Sequence, residues 1–458
     1  MDSTRGKRVS NVCNFGAAGD GKADDTKAIQ HAVTSGDDVL EFPKGKYRIT
    51  QTIEVPLERR QCLDGGGQGV VVMEGPGPAF RLVGTHGGTG DPGSIKPEVW
   101  SQCLPAIRNL VIEGGHAGAD GIELVETMQA VIEGVLVRRV RHGIRLHKRN
   151  RNVLISHCHF YFNTGVGIFL DRVNLHQINI TGSHISYNRQ GGIRIEGSEV
   201  RNLQITGNDI EYNNHRAHGT DPEPTAEIYV DTTARGSSVN ELTVSANTIQ
   251  ATVSPGGANI RVLNDLEDGR LPGLWSITGN VIGNQENNVH LTGCHGVVLS
   301  GNCIYSCGRH NLLVEHSSHL TIGTNSFRRH TPGMHTGIRL VSSRDCLING
   351  CTVEDEDPAG QKTGLSLLEL DRCLRINVSG CQFLGGVPYG VDARECSQTN
   401  ISGCTFADWR VEKRTKGAIR FEGEGHANLV TGNVIARDVA QPLLCGPGVL
   451  IRDNLVGR

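Results

Sequence analysis

The sequence predicts an all-β fold, a parallel β-helix built from stacked coils. Three observations carry that prediction. First, a phrase recurs. Ile178-Asn179-Ile180-Thr181-Gly182-Ser183-His184-Ile185 returns 25 residues later as Leu203-Gln204-Ile205-Thr206-Gly207-Asn208-Asp209-Ile210, and a period of that size signals a repeat architecture. Its central apolar residue falls at Ile107, Ile132, Ile155, Ile180, Ile205, Val244, Ile277, Leu299, Ile322, Ile348, Val378, Ile401, Val430 and Ile451, at spacings of 21 to 39 residues. Second, another phrase sits between the copies, as in Gly143-Ile-Arg-Leu, Gly167-Ile-Phe-Leu, Gly192-Ile-Arg-Ile and Gly337-Ile-Arg-Leu. Third, both phrases alternate apolar and polar residues and end in Gly or Asn. That is the period of a half-buried strand followed by a tight turn. One coil cannot bury its apolar row alone, so coils must stack. The Leu-x-x-Leu-x-Leu pattern of leucine-rich repeats is absent, and a propeller blade needs ~40 or more residues.

Taken in order, the chain opens on a distinct segment. Asp24 or Asp25 is placed to cap a helix whose apolar positions are Ala28, Ile29, Ala32 and Val33. Such a helix covers the open end of a solenoid. The expected organisation is an N-terminal cap over 1–50 and one continuous β-helix over 51–458. The acidic group Asp20, Asp24 and Asp25 is read as turn and cap. Residues 84–103 form a Gly/Pro-rich loop ending near Trp100, and long loops in compact folds are commonly functional. Further interruptions at 213–225 (with His215, Arg216, His218 and Asp221), 251–258 and 264–273 account for the long spacings. Insertions on one flank of a solenoid commonly wall its binding face.

The 14 Cys do not read as disulfides. Cys158, Cys351, Cys381 and Cys404 share one repeat column with Ser183, Asn208, Asn247, Asn280, Asn302, Asn325 and Asn433, which points inward at a turn. Buried free thiols fit there. In His157-Cys158-His159 alternation sends the Cys inward and both His outward, so no zinc site is expected. The 60 Gly and 4% aromatic content suit a turn-rich solenoid. A net charge of −3 gives no bulk attraction to nucleic acid. No run of 18 apolar residues exists, so no membrane span is expected. No apolar run follows the basic start, so no leader is read in this sequence; a secreted or periplasmic location would need one already removed, and the alternative is cytoplasmic.

The opening Asn14-Phe-Gly-Ala-Ala-Gly-Asp-Gly-Lys-Ala-Asp-Asp-Thr-Lys-Ala-Ile-Gln30, followed by Phe42-Pro-Lys-Gly-Lys-Tyr47, resembles the N-terminal signature of the pectate-lyase-like superfamily. That resemblance covers about residues 9 to 50 and implies a right-handed parallel β-helix in a carbohydrate-active protein. It implies a polysaccharide lyase, a glycoside hydrolase, an epimerase or a tailspike-like depolymerase without choosing among them. The polygalacturonase motifs Asn-Thr-Asp, Asp-Asp, Gly-His-Gly and Arg-Ile-Lys are absent. Tyr389-Gly-Val-Asp392 resembles the Tyr-Gly-Phe-Asp-Pro-His motif of mannuronan epimerases, but Arg394 replaces the His and the position lies far C-terminal, so the match reads as chance.

The two strand rows differ outside. The row of Ile180 exposes neutral pairs such as Asn179/Thr181, Gln204/Thr206 and Ser276/Thr278. The other row exposes Arg145/His147, Phe169/Asp171, Arg194/Glu196, Tyr229/Asp231, Arg261, His290 and Arg339. Asp171, Glu196 and Asp231 share a column on consecutive coils, which sets adjacent carboxylates roughly 5 Å apart. Like charges so placed drive one pKa up and create an acid/base pair, and glycoside hydrolysis needs two carboxyl groups at ~5 to 9.5 Å. Asp171, Glu196 and Asp231 are the catalytic candidates. Arg145, His147, Arg194, Tyr229 and Arg261 are the substrate-binding candidates, the arginines as bidentate clamps for carboxylates or sulfates. A surface ladder in which the Arg column neutralises the acids is the competing reading. Glu315, Asp371, Glu395 and Glu422 look isolated and solvated.

The expected function is cleavage of glycosidic bonds in an acidic polysaccharide or oligosaccharide by a hydrolase. A lyase using an Arg or His base on a uronate is the nearest alternative, and a non-catalytic glycan-binding or adhesive solenoid is the third. No cofactor is expected, with Ca2+ called for only in the lyase case, and no metal ligands are assigned. The expected partners are a glycan substrate and neither nucleic acid nor membrane, in a monomer or homotrimer.

Overall fold

The alternating phrases fold as strands because each supplies one apolar residue inward for every polar residue outward. In the computed structural model a typical coil has three of them. Val131–Glu133 lies in a first row and Leu136–Arg138 in a second. The long strand Ile144–Ser156 begins in a third row and bends into the first row of the following coil. Pairing between coils is parallel throughout the described strands. The structure describes residues 9–58, 61–88, 91–213, 225–360 and 364–457, and none of its helices is long and apolar enough to cross a membrane.

Contacts divide the chain into two compact units, Met1–Asn214 with Ala234–Val239, and His215–Thr233 with Asn240–Arg458. In the first unit Ile107, Ile132, Ile155, Ile180 and Ile205 are register partners, coil on coil. In the second, Val244, Ile277, Leu299, Ile322, Ile348, Val378, Ile401 and Val430 are. All of these are buried to 1% exposure or less, each worth about 1.5–3 kcal/mol of transfer free energy. The second row escaped the sequence reading as a separate row. Its strands His159–Tyr161, His184–Ser186 and Asp209–Glu211 are three residues long, too short to show a period.

The turn column after the first row carries the expected inward residues. In the first unit the Cys158 N–H donates to Ser183 Oγ at 3.1 Å and the Ser183 N–H to Asn208 Oδ1 at 3.0 Å. In the second, Asn247, Asn280, Asn302 and Asn325 form a ladder. Each backbone N–H donates to the next side-chain Oδ1 at 3.0–3.1 Å, and the Asn280 and Asn302 Nδ2 groups donate to the Val244 and Ile277 carbonyls at 2.9 Å. Cys158, Cys351, Cys381 and Cys404 are buried, and every cysteine is free. His157 and His159 point outward, as alternation requires.

The capping helix α1 spans Thr26–Ser35 and buries Thr26, Ile29, Ala32 and Val33. Asp25 occupies its N-cap, but the carboxylate turns away to accept the Ala18 and Gly19 N–H groups at 2.7 and 3.2 Å. Asp24 takes the Thr26 N–H instead, at 3.1 Å. Within 84–103 a second short helix, α2 (Pro97–Ser101), was not foreseen. Its Val99 packs with Ile95 and Cys103 on Met128, which fastens the segment to the coils. Most of the 213–225 insertion, with His215, Arg216, His218 and Asp221, lies outside the described residues.

Candidate functional site

The chemically mixed row is the third row. Over the first four coils of this row the outward residues alternate in sign. Glu54, Arg81, Glu123 and Arg145 are successive register partners. Opposite charges one coil apart, ~4.8 Å along the strand-pairing direction, close into ion pairs. Arg81 Nη1 meets Glu54 Oε1 at 2.6 Å, and its Nε holds Glu123. Arg145 Nη1 meets the other Glu123 oxygen at 3.0 Å, and Arg145 Nε donates to Asp171 Oδ2 at 3.0 Å. Arg172 Nη1 reaches Asp171 Oδ1 at 3.0 Å.

Asp171 and Glu196 occupy facing register positions on adjacent coils, as the column predicted, with His147 aligned one coil before Asp171. His147 Nδ1 lies 3.0 Å from the Asp171 carbonyl oxygen. Glu196 is ion-paired to Arg194 of its own strand. The Asp171 side chain is only 7% exposed, whereas that of Glu196 is 30% exposed. Both acids are therefore brought together and both have arginine partners. His142 packs against Phe169 with ring centroids 5.2 Å apart; burial depresses its pKa to about 4, which keeps the imidazole a neutral acceptor for the Val166 N–H at 3.2 Å.

Asp231, Tyr229 and Arg261 belong to the second unit. Tyr229 is the register partner of Arg261, and Arg261 of His290. Tyr229 is buried. Asp231 Oδ1 accepts the Thr233 N–H at 2.9 Å and its hydroxyl at 2.6 Å, so it closes a turn. Arg261 Nη1 donates to the Gly256 carbonyl at 2.7 Å.

The acids read as isolated are not. Glu315 lies 2.8 Å from His290 Nε2, and that contact holds its carboxyl below the usual range. Asp371 pairs with Arg372 at 2.8 Å and Arg339 at 3.2 Å. Glu422 lies 3.3 Å from Arg420, and Glu395 accepts the Glu424 N–H at 3.2 Å. Two buried carboxylates escaped the sequence reading altogether as a pair. Glu369 and Asp392 are register partners on adjacent third-row coils and are 6% and 2% exposed. Burial, with the Asp392 charge adding to it, pushes the Glu369 carboxyl above the usual range. Asp392 accepts from Arg394 and Arg420, each at 2.7 Å, and Arg420 lies over the Tyr389 ring at 4.5 Å. The available signal was the alternation in Leu368-Glu-Leu-Asp371 and Tyr389-Gly-Val-Asp392. Both depart from the Gly-Ile-Arg-Leu phrase that marks the row elsewhere. Among the described residues no group of three or more His, Cys, Asp or Glu is placed to hold a metal ion.

A family model for the right-handed β-helix region matches residues 98–265, 235–368 and 272–435. The chain belongs to this right-handed β-helix family. A second model, described as rhamnogalacturonase A/epimerase, pectate lyase-like, matches residues 9–72, the stretch that holds the opening signature and α1. Over 98 residues the chain is 37% identical to a glucan 1,3-beta-glucosidase of Cochliobolus carbonum, a match that spans 19% of this chain and 12% of that relative. Among solved structures, the A-module of mannuronan C-5 epimerase AlgE4 of Azotobacter vinelandii aligns at 16% identity and a TM-score of 0.44, over 97% of this chain and all of that one. The catalytic unit of an α-1,3-glucanase of Streptomyces thermodiastaticus aligns at 12% identity and a TM-score of 0.44, over 93% and 69%.

Proposed function

We propose that this β-helix protein is a carbohydrate-active enzyme and that it hydrolyses glycosidic bonds along its third-row face. The glucosidase named as a relative over part of the chain supports the substrate class, as does the rhamnogalacturonase/epimerase model over residues 9–72. The observation that carries the reaction is the register of Asp171 with Glu196. Carboxyl groups on adjacent coils fall near the ~5 Å separation at which one protonates the leaving oxygen and the other attacks the anomeric carbon; water then releases the sugar. Asp171 and Glu196 share these roles. Arg145, His147 and Arg194 beside the pair orient the glycan. Screening acidic and neutral polysaccharides for new reducing ends, and for ultraviolet absorbance of unsaturated product, separates hydrolase from lyase and from binder. In an active preparation, Glu196→Gln lowers turnover ~10²-fold or more with thermal stability retained, because the amide keeps the shape and removes the proton chemistry; Asp171→Asn lowers turnover likewise but also loses stability, because it breaks the buried ion pair with Arg145.

A second location is favoured by one observation, the raised pKa of Glu369 beside Asp392. A carboxyl whose pKa is raised next to an arginine-held carboxylate is a split in the direction that acid/base catalysis uses. Full activity in Asp171→Asn, Glu196→Gln and Asp231→Asn, with loss in Glu369→Gln, moves the reaction to that pair.

A further inference from the structure

The second row of the second unit carries a pocket that the third-row chemistry does not use. Gly283, Tyr305, Arg328 and Glu354 are consecutive outward register partners there. Gly283 leaves its coil without a side chain, and the Tyr305 ring lies down in that space. A Cβ at Gly283 would stand 2.3, 2.5 and 2.6 Å from Cζ, Cε1 and Cε2 of the ring. Nearly equal distances to both Cε atoms, with Cζ nearest and the hydroxyl further off, put it above the ring plane. One face of Tyr305 therefore rests on the Gly283 backbone. The Tyr305 hydroxyl and Gln250 Oε1 are 2.9 Å apart, which pins the ring. His330 stands edge-on to it, with centroids 6.2 Å apart and planes at 80°.

The other face of Tyr305 turns to a cavity of about 370 Å³ that Val281, Cys303, Arg328, His330 and Glu356 complete. The guanidinium at its rim is already answered. Arg328 pairs with Glu356 and lies 4.0 Å from Glu354. Burial and the Glu356 charge push the Glu354 carboxyl up. A rim with two carboxylates to one guanidinium disfavours an anion. What fits is a neutral ring with an apolar face and a hydroxylated edge. Its C–H face lies on the tyrosine, while adjacent hydroxyls donate to Glu356 and accept from Arg328. A flat aromatic ring would stack as well, but it would leave the carboxylate without a donor. A neutral hexopyranose meets both demands.

We propose that this second-row pocket is a non-catalytic seat for a neutral hexopyranose unit of a glycan, stacked on Tyr305 and held at its edge by Arg328 and Glu356. The seat goes beyond the reading above. It lies off the third row, and its electrostatic demand is opposite to that of the arginine column. Its test reads occupancy and no turnover, so its failure leaves the assignment of Asp171 and Glu196 standing.

The pocket contains its own reporter. Cys303 is an exposed free thiol, and Cys13, exposed in the N-terminal segment, is the control. The full chain is alkylated with iodoacetamide and modification at each thiol is followed by mass spectrometry. The additions are neutral gluco-, galacto- and manno-oligosaccharides, galacturonate oligomers, and indole. At least one neutral oligosaccharide, at saturation, slows alkylation of Cys303 ~tenfold or more and leaves Cys13 unchanged. Tyr305→Ala raises the concentration needed for protection ~tenfold, the scale of a lost aromatic contact. Tyr305→Phe keeps the ring and retains the protection. Gly283→Ala pushes the ring out of its place and weakens protection as Tyr305→Ala does. Protection by no neutral oligosaccharide, equal protection in the wild type and Tyr305→Ala, or stronger protection by galacturonate oligomers overturns the seat. Protection by indole alone overturns the assignment to a sugar.

Discussion

A buried charge has to be answered by its neighbours, and in the second unit Arg410 shows how completely. It is 2% exposed, with Nη2 on Asp355 at 2.8 Å and Nη1 on Asp408 at 2.9 Å, both acids fully buried. Its Nε donates to the Asp357 carbonyl and its Nη2 to that of Gly385, both at 2.8 Å. Removing one member leaves the others unpaired in low dielectric. Arg410→Met should therefore lose about 3–5 kcal/mol in denaturant unfolding. Burial of Asp408 opposes its charge, but the N–H groups of Arg414, Thr415 and Arg410 and the Arg410 guanidinium outweigh it, so its pKa falls below the ordinary value. A carboxyl lowered on folding stabilises above its unfolded pKa, and that contribution is lost as pH falls through the folded one. Melting temperatures of the wild type should fall below about pH 4 more steeply than those of Asp408→Asn; parallel curves would contradict this account.

At the scale of the element, the asparagine ladder does the work of a turn that can stack. Each rung satisfies a backbone N–H and a carbonyl of the coil before it, both out of reach of water. Asn302→Ala orphans the Asn280 N–H and the Ile277 carbonyl. An expected loss of about 1–3 kcal/mol for each buried group left unsatisfied is checked by equilibrium unfolding, and an unchanged midpoint would falsify the ladder's role. The cysteines of the same column are apolar fillers. Burial raises the Cys158 thiol to about 11, so Cys158, Cys351, Cys381 and Cys404 should resist thiol titration until the protein unfolds, then all react without reductant. A native thiol count that already includes them would contradict their burial.

For the whole molecule, stacking converts a local alternation into a core that extends coil by coil within each unit. The same alternation leaves one chemically diverse face, the third row, and one monotonous face, the first. Helix is confined to α1, α2 and short 3-10 turns among the described residues. Far-UV circular dichroism should accordingly show a β spectrum with little helical signal, and a helix-dominated spectrum would be incompatible with the stacked coils.

The inward positions were legible from sequence because a coil has no freedom there. An apolar residue must return every coil and a small or amide side chain must fill every turn, so Ile180, Asn280 and Cys158 declare themselves by spacing alone. The facing of Asp171 and Glu196 was legible for the same reason, their coils being of regular length. Partners on the outer face were not, since contact there depends on which coils are neighbours in space and on how long side chains lean between columns. Arg145 crosses from Glu123 to Asp171, and Arg339 reaches both Glu369 and Asp371. Glu369 and Asp392 meet across a coil of regular length, 23 residues, but both segments depart from the Gly-Ile-Arg-Leu phrase that marks the row elsewhere. Arg149 is buried through the fold around it, with His86 of the 84–103 segment against its guanidinium. Periodicity fixes what must be buried by every coil, and only tertiary structure decides which charges share a low-dielectric space.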